Sequence, residues 1–280
     1  MDKNKIYHVG ISGGKDSTAF LLWMIYESGI SHDRIIASFC DTQNEADCTY
    51  EHIARLNKEV FPIRTIQSEG FLALALRKTR FPSSGNARFC TQELKLKPTA
   101  RFLNSLQLLY SNFEIVPVSG VRARESEGRK NLSEWGNPMD SYFGLKEWRP
   151  LIKWQVEDVL TIHAKYKIPL NDLYSKGAQR VGCFPCIMST KAEIRMAARE
   201  YPETIDKLRK WEQQVGSTFF PPNLTPDRFK SRSVKNKKGK TVGIVSIDDA
   251  VKWAKTGHRA KGIAEEKAPE ICISQHLACE

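Results

Sequence analysis

The chain has 280 residues, enough to bury one sizeable core with room for a smaller appendage. With 41% hydrophobic and 27% charged residues it falls outside the disordered and fibrous classes, and no apolar run approaches the ~20 residues that span a bilayer. Lys and Arg outnumber Asp and Glu by 43 to 32, and this net charge of +11 suits either a polyanionic partner or a merely basic surface.

In chain order, residues 6–11 (Ile-Tyr-His-Val-Gly-Ile) read as a short strand. A glycine loop follows, and residues 18–28 read as an apolar helix. Residues 35–39 form a second buried strand ending at Asp41-Thr42, residues 45–60 a helix, and residues 62–66 a third strand. Residues 94–109 read as a helix before a strand at 114–118, which runs into Gly120-Val121-Arg122. Strands alternating with helices predict an α/β fold, a parallel sheet covered by helices on both faces.

Residues 128–147 are polar and Gly-rich, as in a surface loop or lid, and residues 155–166 are helical. Residues 191–215 read as helix, divided at Pro202. Residues 216–245 carry Pro221-Pro222 and a basic run from Lys230 to Lys240, a candidate boundary or flexible arm, and a short helix is expected near 247–255. The expected organisation is a nucleotide-binding domain over 1–190 and a smaller helical, basic C-terminal region over 191–280 with a cysteine-containing tail.

The segment Ser12-Gly13-Gly14-Lys15-Asp16-Ser17 lies between a strand and a helix. Two glycines let the backbone approach phosphate oxygens, and the helix adds its positive end. Lys15 supplies a point charge, and Ser12 and Ser17 supply hydroxyls. The spacing differs from the Gly-x-x-x-x-Gly-Lys-Ser/Thr loop of ordinary nucleoside triphosphatases. It resembles the PP-loop of the adenine nucleotide alpha-hydrolase superfamily, which implies ATP or a sulfated adenine nucleotide as ligand.

Further segments resemble the phosphoadenosine phosphosulfate reductase family. Phe39-Cys40-Asp41-Thr42 matches its strand-ending Asp-Thr, and Gly120-Val121-Arg122-Ala123-Arg124-Glu125-Ser126 matches its Gly-x-Arg-x-x-Glu-Ser. Arg149 to Trp154, with Pro150-Leu151, and Ile168 to Tyr174 leading into Gly182-Cys183-Phe184-Pro185-Cys186 follow in the same order. The resemblance implies that Arg122 meets phosphate or sulfate and that Glu125-Ser126 holds its loop. From the residues alone, Arg122 and Arg124 can fork onto anionic oxygens. Asp41 can bind the ribose or Mg²⁺, or simply cap the next helix.

Seven cysteines, an odd number, with no signal-peptide pattern in residues 1–11, argue against a disulfide framework and for a cytoplasmic setting. Cys183-x-x-Cys186 places two thiolates within reach of one metal centre. Cys90 resembles the position where iron–sulfur members of the family carry a Cys-Cys pair, but the next residue is Thr91. With Cys272 or Cys279 of the tail as fourth ligand these would hold a [4Fe–4S] cluster, and three alone would leave one iron open to a sulfide. Zinc suits the same donors, and a site without metal is the remaining alternative. The family's catalytic cysteine lies in a C-terminal Glu-Cys-Gly-Leu-His segment; this chain ends Leu277-Ala278-Cys279-Glu280, so Cys279 is a candidate nucleophile as well as a candidate ligand.

The resemblance also reaches the ATP pyrophosphatases of DNA phosphorothioation. The leading expectation is therefore an ATP- and Mg²⁺-using sulfur-transfer enzyme acting on nucleic acid, with Lys15, Arg122 and Arg88 neutralising developing charge and a cysteine desulfurase or other donor supplying sulfur. The alternatives are a reductase that takes phosphoadenosine phosphosulfate and releases sulfite through Cys279, and a non-catalytic nucleotide-sensing or nucleic-acid-binding subunit.

Overall fold

A computed structural model describes residues 4–83, 88–125, 127–137, 139, 143–235, 239 and 241–257. Cys272, Cys279 and Ser126 lie outside the described residues, and so does the Glu125 side chain. Among the described residues, β1 (Lys5–Ile11), β2 (Ile35–Asp41), β3 (Ile63–Gln67) and β4 (Glu114–Val118) form a parallel sheet in the order β3-β2-β1-β4.

Period-two alternation sorts these strands into two faces. Tyr7, Val9 and Ile11 of β1, Ile35, Ala37 and Phe39 of β2, and Val116 and Val118 of β4 share one core. That core is closed by α1 (Lys15–Tyr26), α2 (Asp47–Glu59) and α6 (Val156–Lys165) through Phe20, Leu21, Leu56, Val159 and Ile162. Ile6, Ile36 and Ile115 face the other way, against Leu103 and Leu106 of α5 (Lys97–Leu109). His8 shares this second face, with Ser38 Oγ 2.8 Å from its Nε2 and Phe102 against its ring; burial there lowers its pKa to about 4. The sheet is thus covered on both sides, as expected.

Helix α5 is the end of a longer helical run. It begins at α4 (Phe89–Thr91) and passes through a π-type stretch at Gln92–Leu96. Such local widening is a recurrent feature of functional sites, and here it carries Lys95. One helix, α3 (Phe71–Arg77), was not anticipated: its seven residues are too few to show a helical period.

Pro202 divides α7 (Lys191–Glu200) from α8 (Pro202–Val215). The second helix closes on Gly216, which adopts φ +69°. Both pack with α9 (Ile247–Ala254) around a further core holding Ile194, Ala197, Leu208, Phe219, Phe220 and Trp253. The same core takes in Phe71, Leu74, Phe81 and Leu94. Residues 216–245 are therefore not simply an arm: Phe219 and Phe220 are buried, and β5 (Arg232–Lys235) pairs antiparallel with β6 (Thr241–Ile244). No helix of the described residues is long and apolar enough to cross a membrane.

Candidate functional site

The glycine loop leaves the C-terminal end of β1 and opens α1. Gly13 adopts φ +75°, and a Cβ there would lie 2.9 Å from Thr49 Cγ2, so both its backbone angle and its packing against α2 call for glycine. The serines knit the loop together. Ser17 Oγ donates to the Gly14 carbonyl (3.0 Å) and accepts from the Ser12 N–H (3.2 Å), and the two hydroxyls are 3.0 Å apart. No side chain caps the N-terminus of α1. Its first-turn N–H groups and positive dipole end therefore suit an anion.

Behind the loop, Asp16 binds two cations. Its Oδ2 is 2.9 Å from Lys15 Nζ and its Oδ1 2.6 Å from Arg122 Nε. Burial pushes the Asp16 carboxyl up, but Lys15 and Arg122 more than offset this and hold it below its ordinary value. Arg122 is itself 6% exposed. The Nε side of this guanidinium braces α1 through the Asp16 carboxylate. Gly120 permits the approach, since a Cβ there would meet Phe20 Cβ at 2.9 Å and the Asp16 carbonyl at 3.2 Å. Arg124 is exposed. The Arg149–Trp154 segment supports the same loop, with the Ala123 N–H donating to the Ile152 carbonyl (2.8 Å) and the Ser119 N–H to the Trp148 carbonyl (3.0 Å).

Three further residues hold the loop from outside: Asn171 and Tyr174 belong to the Ile168–Tyr174 segment already noted in the sequence, whereas His163 was not singled out. Tyr174 Oη accepts from the Lys15 N–H (3.1 Å), and Asn171 Nδ2 donates to the Gly13 carbonyl (3.3 Å). His163 on α6 lies with Nε2 2.9 Å from the Lys15 carbonyl.

The turn after β2, the strand paired with β1, reaches the cysteines. Asp41 does not cap α2, whose N-cap is Ala46; its Oδ1 accepts from the Gln43 N–H and from Tyr50 Oη, both at 2.8 Å. Thr42 is fully buried and donates its hydroxyl to Glu45 Oε1 (2.7 Å). The same hydroxyl is 3.4 Å from Cys183 Sγ, and Glu45 Oε1 is 3.9 Å from that sulfur. Asn44, 1% exposed, donates through Nδ2 to the Pro185 carbonyl (3.3 Å) and accepts from Lys207 Nζ of α8 (3.2 Å). Its carbonyl accepts from the Phe184 N–H. Thr42, Asn44 and Glu45 thus tie the end of β2 to the Cys183–Cys186 turn.

Cys90, Cys183 and Cys186 line one cavity of about 160 Å³ together with Arg88, Lys95 and Arg180. Burial raises the Cys183 thiol and the field of Lys95 opposes the rise; Lys95 is in turn raised, chiefly by Cys183. Burial also raises Cys90, with Cys183 and Cys186 adding to it and Arg88 opposing. The Met188 N–H donates to Cys186 Sγ (3.4 Å). Arg88 borders this cavity and donates to Thr91 Oγ1 (3.2 Å). Among the described residues no three His, Cys, Asp or Glu side chains converge closely enough to hold one metal ion. Cys40 and Cys48 lie apart from the cavity lining; burial raises both, Cys40 to about 11.

Comparison with known proteins bears on this arrangement. The chain is 32% identical over 244 residues to an uncharacterized 37.8 kDa protein of Escherichia phage 186, covering 84% of this chain and 72% of that one. It is 28% identical over 152 residues to an adenosine 5'-phosphosulfate reductase of Geobacillus thermodenitrificans, covering 53% of this chain and 60% of the reductase. A phosphoadenylyl-sulfate reductase structure from Candida auris aligns with a TM-score of 0.49 at 15% identity, covering 66% of this chain and 84% of that one. Residues 7–189 match the phosphoadenosine phosphosulfate reductase domain, and the chain belongs to that family.

Proposed function

We propose that the chain is an ATP pyrophosphatase that activates a nucleic-acid oxygen for sulfur transfer, as in DNA phosphorothioation. The observation that carries the reading is the Asp41–Glu45 turn: it ends β2, the strand paired with the one that carries the phosphate loop, and its Thr42 comes within 3.4 Å of Cys183 in a thiol-lined, cationic cavity. ATP lies on Ser12–Ser17, with the first-turn amides of α1 and Lys15 facing its phosphates and Asp41 at the end of β2 taking the ribose or Mg²⁺. An acceptor oxygen attacks the α-phosphorus and pyrophosphate leaves. Lys15 and Arg122 counter the charge that develops.

The three thiols suit an iron–sulfur cluster, whose cysteines bond different irons, with zinc the competitor for the same donors. Arg88, Lys95 and Arg180 would offset the thiolate charge, and the tail offers Cys272 or Cys279 as fourth ligand. When bound, such a cluster supplies sulfur-binding or electron-transfer chemistry, and a cysteine desulfurase or other donor would replenish the sulfur.

The reductases among the relatives favour a second reading. A sulfated adenine nucleotide takes the same loop, Cys279 attacks its sulfur and expels the adenosine phosphate, and an external dithiol then releases sulfite. Anaerobically prepared protein incubated with ATP and DNA should release pyrophosphate, and Lys15→Ala should abolish that release. Sulfite from phosphoadenosine phosphosulfate, lost in Cys279→Ser, would replace the first reading by the second. Tight nucleotide binding with neither product would reduce the chain to a nucleotide-sensing subunit. A visible absorption band bleached by dithionite and absent from Cys183→Ser is the result expected of a cluster; zinc in elemental analysis would refute it.

A further inference from the structure

The β5–β6 pair is a two-stranded ribbon separate from the main sheet. Its register pairs Arg232 with Ile244 and Lys235 with Thr241, so it has two strands and a short connection. All four residues of β5 are exposed, Val234 at 47%. The base is firmly fastened. Ser231 donates from its N–H (3.2 Å) and its hydroxyl (2.8 Å) to Asp249 Oδ2 on α9, and Lys230 pairs with Asp227. The stem of Lys230 covers Gly243, where a Cβ would fall 2.6 Å from Lys230 Cδ.

Residues 230–240 carry six Lys and Arg and no Asp or Glu. Among the described residues, Arg232 and Lys235 have no ion-pair partner. The exposed strand β5, whose charged residues are all cationic and whose partner β6 is uncharged and half-buried, is a poor candidate for further packing within the chain, because lone exposed charges gain little from intramolecular pairing. It is complementary to a polyanion.

We infer that this ribbon binds duplex DNA. Four strand residues span about 13 Å, and the B-DNA major groove, about 12 Å wide, admits a two-stranded ribbon, whereas the minor groove, about 6 Å wide, does not. The deep, narrow major groove of an RNA duplex excludes the same element. Arg232 and Lys235 contact phosphates on the groove walls, and Ser233 adds a hydroxyl. The inference deepens the proposed reading by making duplex DNA the acceptor-bearing partner, yet it concerns binding alone.

The test measures equilibrium binding of a fluorescent DNA duplex, and of an RNA duplex of the same sequence, to the full chain from 50 to 200 mM salt. Each phosphate contact contributes about −0.9 to the slope of log K against log salt. Arg232→Ala/Lys235→Ala should lower the slope by about 1.8, so that over this fourfold range the wild type loses about twelvefold more affinity than the variant. The charge-matched control Lys58→Ala/Lys210→Ala, exposed on α2 and α8, should keep the wild-type slope. Unchanged melting temperatures establish that both variants fold. Wild-type slope in the ribbon variant, or no DNA binding by the wild type, overturns the inference; equal binding of the RNA duplex overturns the choice of partner. Ribbon-dependent DNA binding without pyrophosphate release upholds the inference while the proposed activity fails.

Discussion

Gly120→Ala tests whether the packing of the Gly120–Arg122 turn on α1 sets the phosphate loop. Gly120 has no left-handed backbone angle, so alanine is conformationally acceptable and would by itself stabilise by about 0.4–1 kcal/mol through the unfolded chain. The new methyl, however, lies 2.9 Å from Phe20 Cβ and 3.2 Å from the Asp16 carbonyl, both on α1 and neither the end of a flexible side chain. Reaching an ordinary carbon contact of about 3.5 Å requires a displacement of about 0.6 Å. Overpacking of this kind costs about 1–3 kcal/mol, so steric strain wins by about 1–2 kcal/mol. With an unfolding entropy of about 2.1 cal/mol/K per residue, that is a fall in melting temperature of about 2–3 °C. The displacement acts on the 2.6 Å bond between Asp16 and Arg122, so ATP affinity should fall on the order of tenfold. Differential scanning calorimetry and isothermal titration of a non-hydrolysable ATP analogue read the two effects. Gly128→Ala, which meets nothing within 4 Å, is the neutral control. An equal or higher melting temperature with unchanged affinity would refute the reasoning.

Asp16→Asn should destabilise the protein by about 3 kcal/mol at pH 7, because it removes the carboxylate shared by two largely buried cations. The Asp16 pKa is lowered in the folded state, so its contribution is full above the ordinary value of 3.8 and fades as pH falls through the folded value. The gap in melting temperature between wild type and variant should therefore close below pH 3.8, and a gap independent of pH would contradict the ion-pair account. Asn44→Ala should cost about 2–4 kcal/mol by stranding the Pro185 carbonyl and Lys207. It should also speed alkylation of Cys183 and Cys186 by iodoacetamide, and unchanged alkylation rates would show that Asn44 does not hold that turn.

Much of the sheet was legible because strands bury alternate residues and helices bury every third or fourth, and both periods are local. The strand at Glu114–Val118 and the break at Pro202 are observed where they were expected. The ribbon β5–β6 was missed because β5 is exposed throughout and both strands have only four residues, leaving no apolar alternation to read. Helix α3 was missed because two turns are too short for a period to emerge.

By itself, the sequence determined the strand–loop–helix unit, the glycines that such a loop requires, and the order of the motifs along the chain. Tertiary structure alone decided their partners. Arg122 meets Asp16 across 106 residues, and Thr42 meets Cys183 across 141. Arg88 borders the thiols. The reason is physical: these contacts follow from the strand order β3-β2-β1-β4 and from the packing of α5 on one face of that sheet, and no local periodicity carries that information.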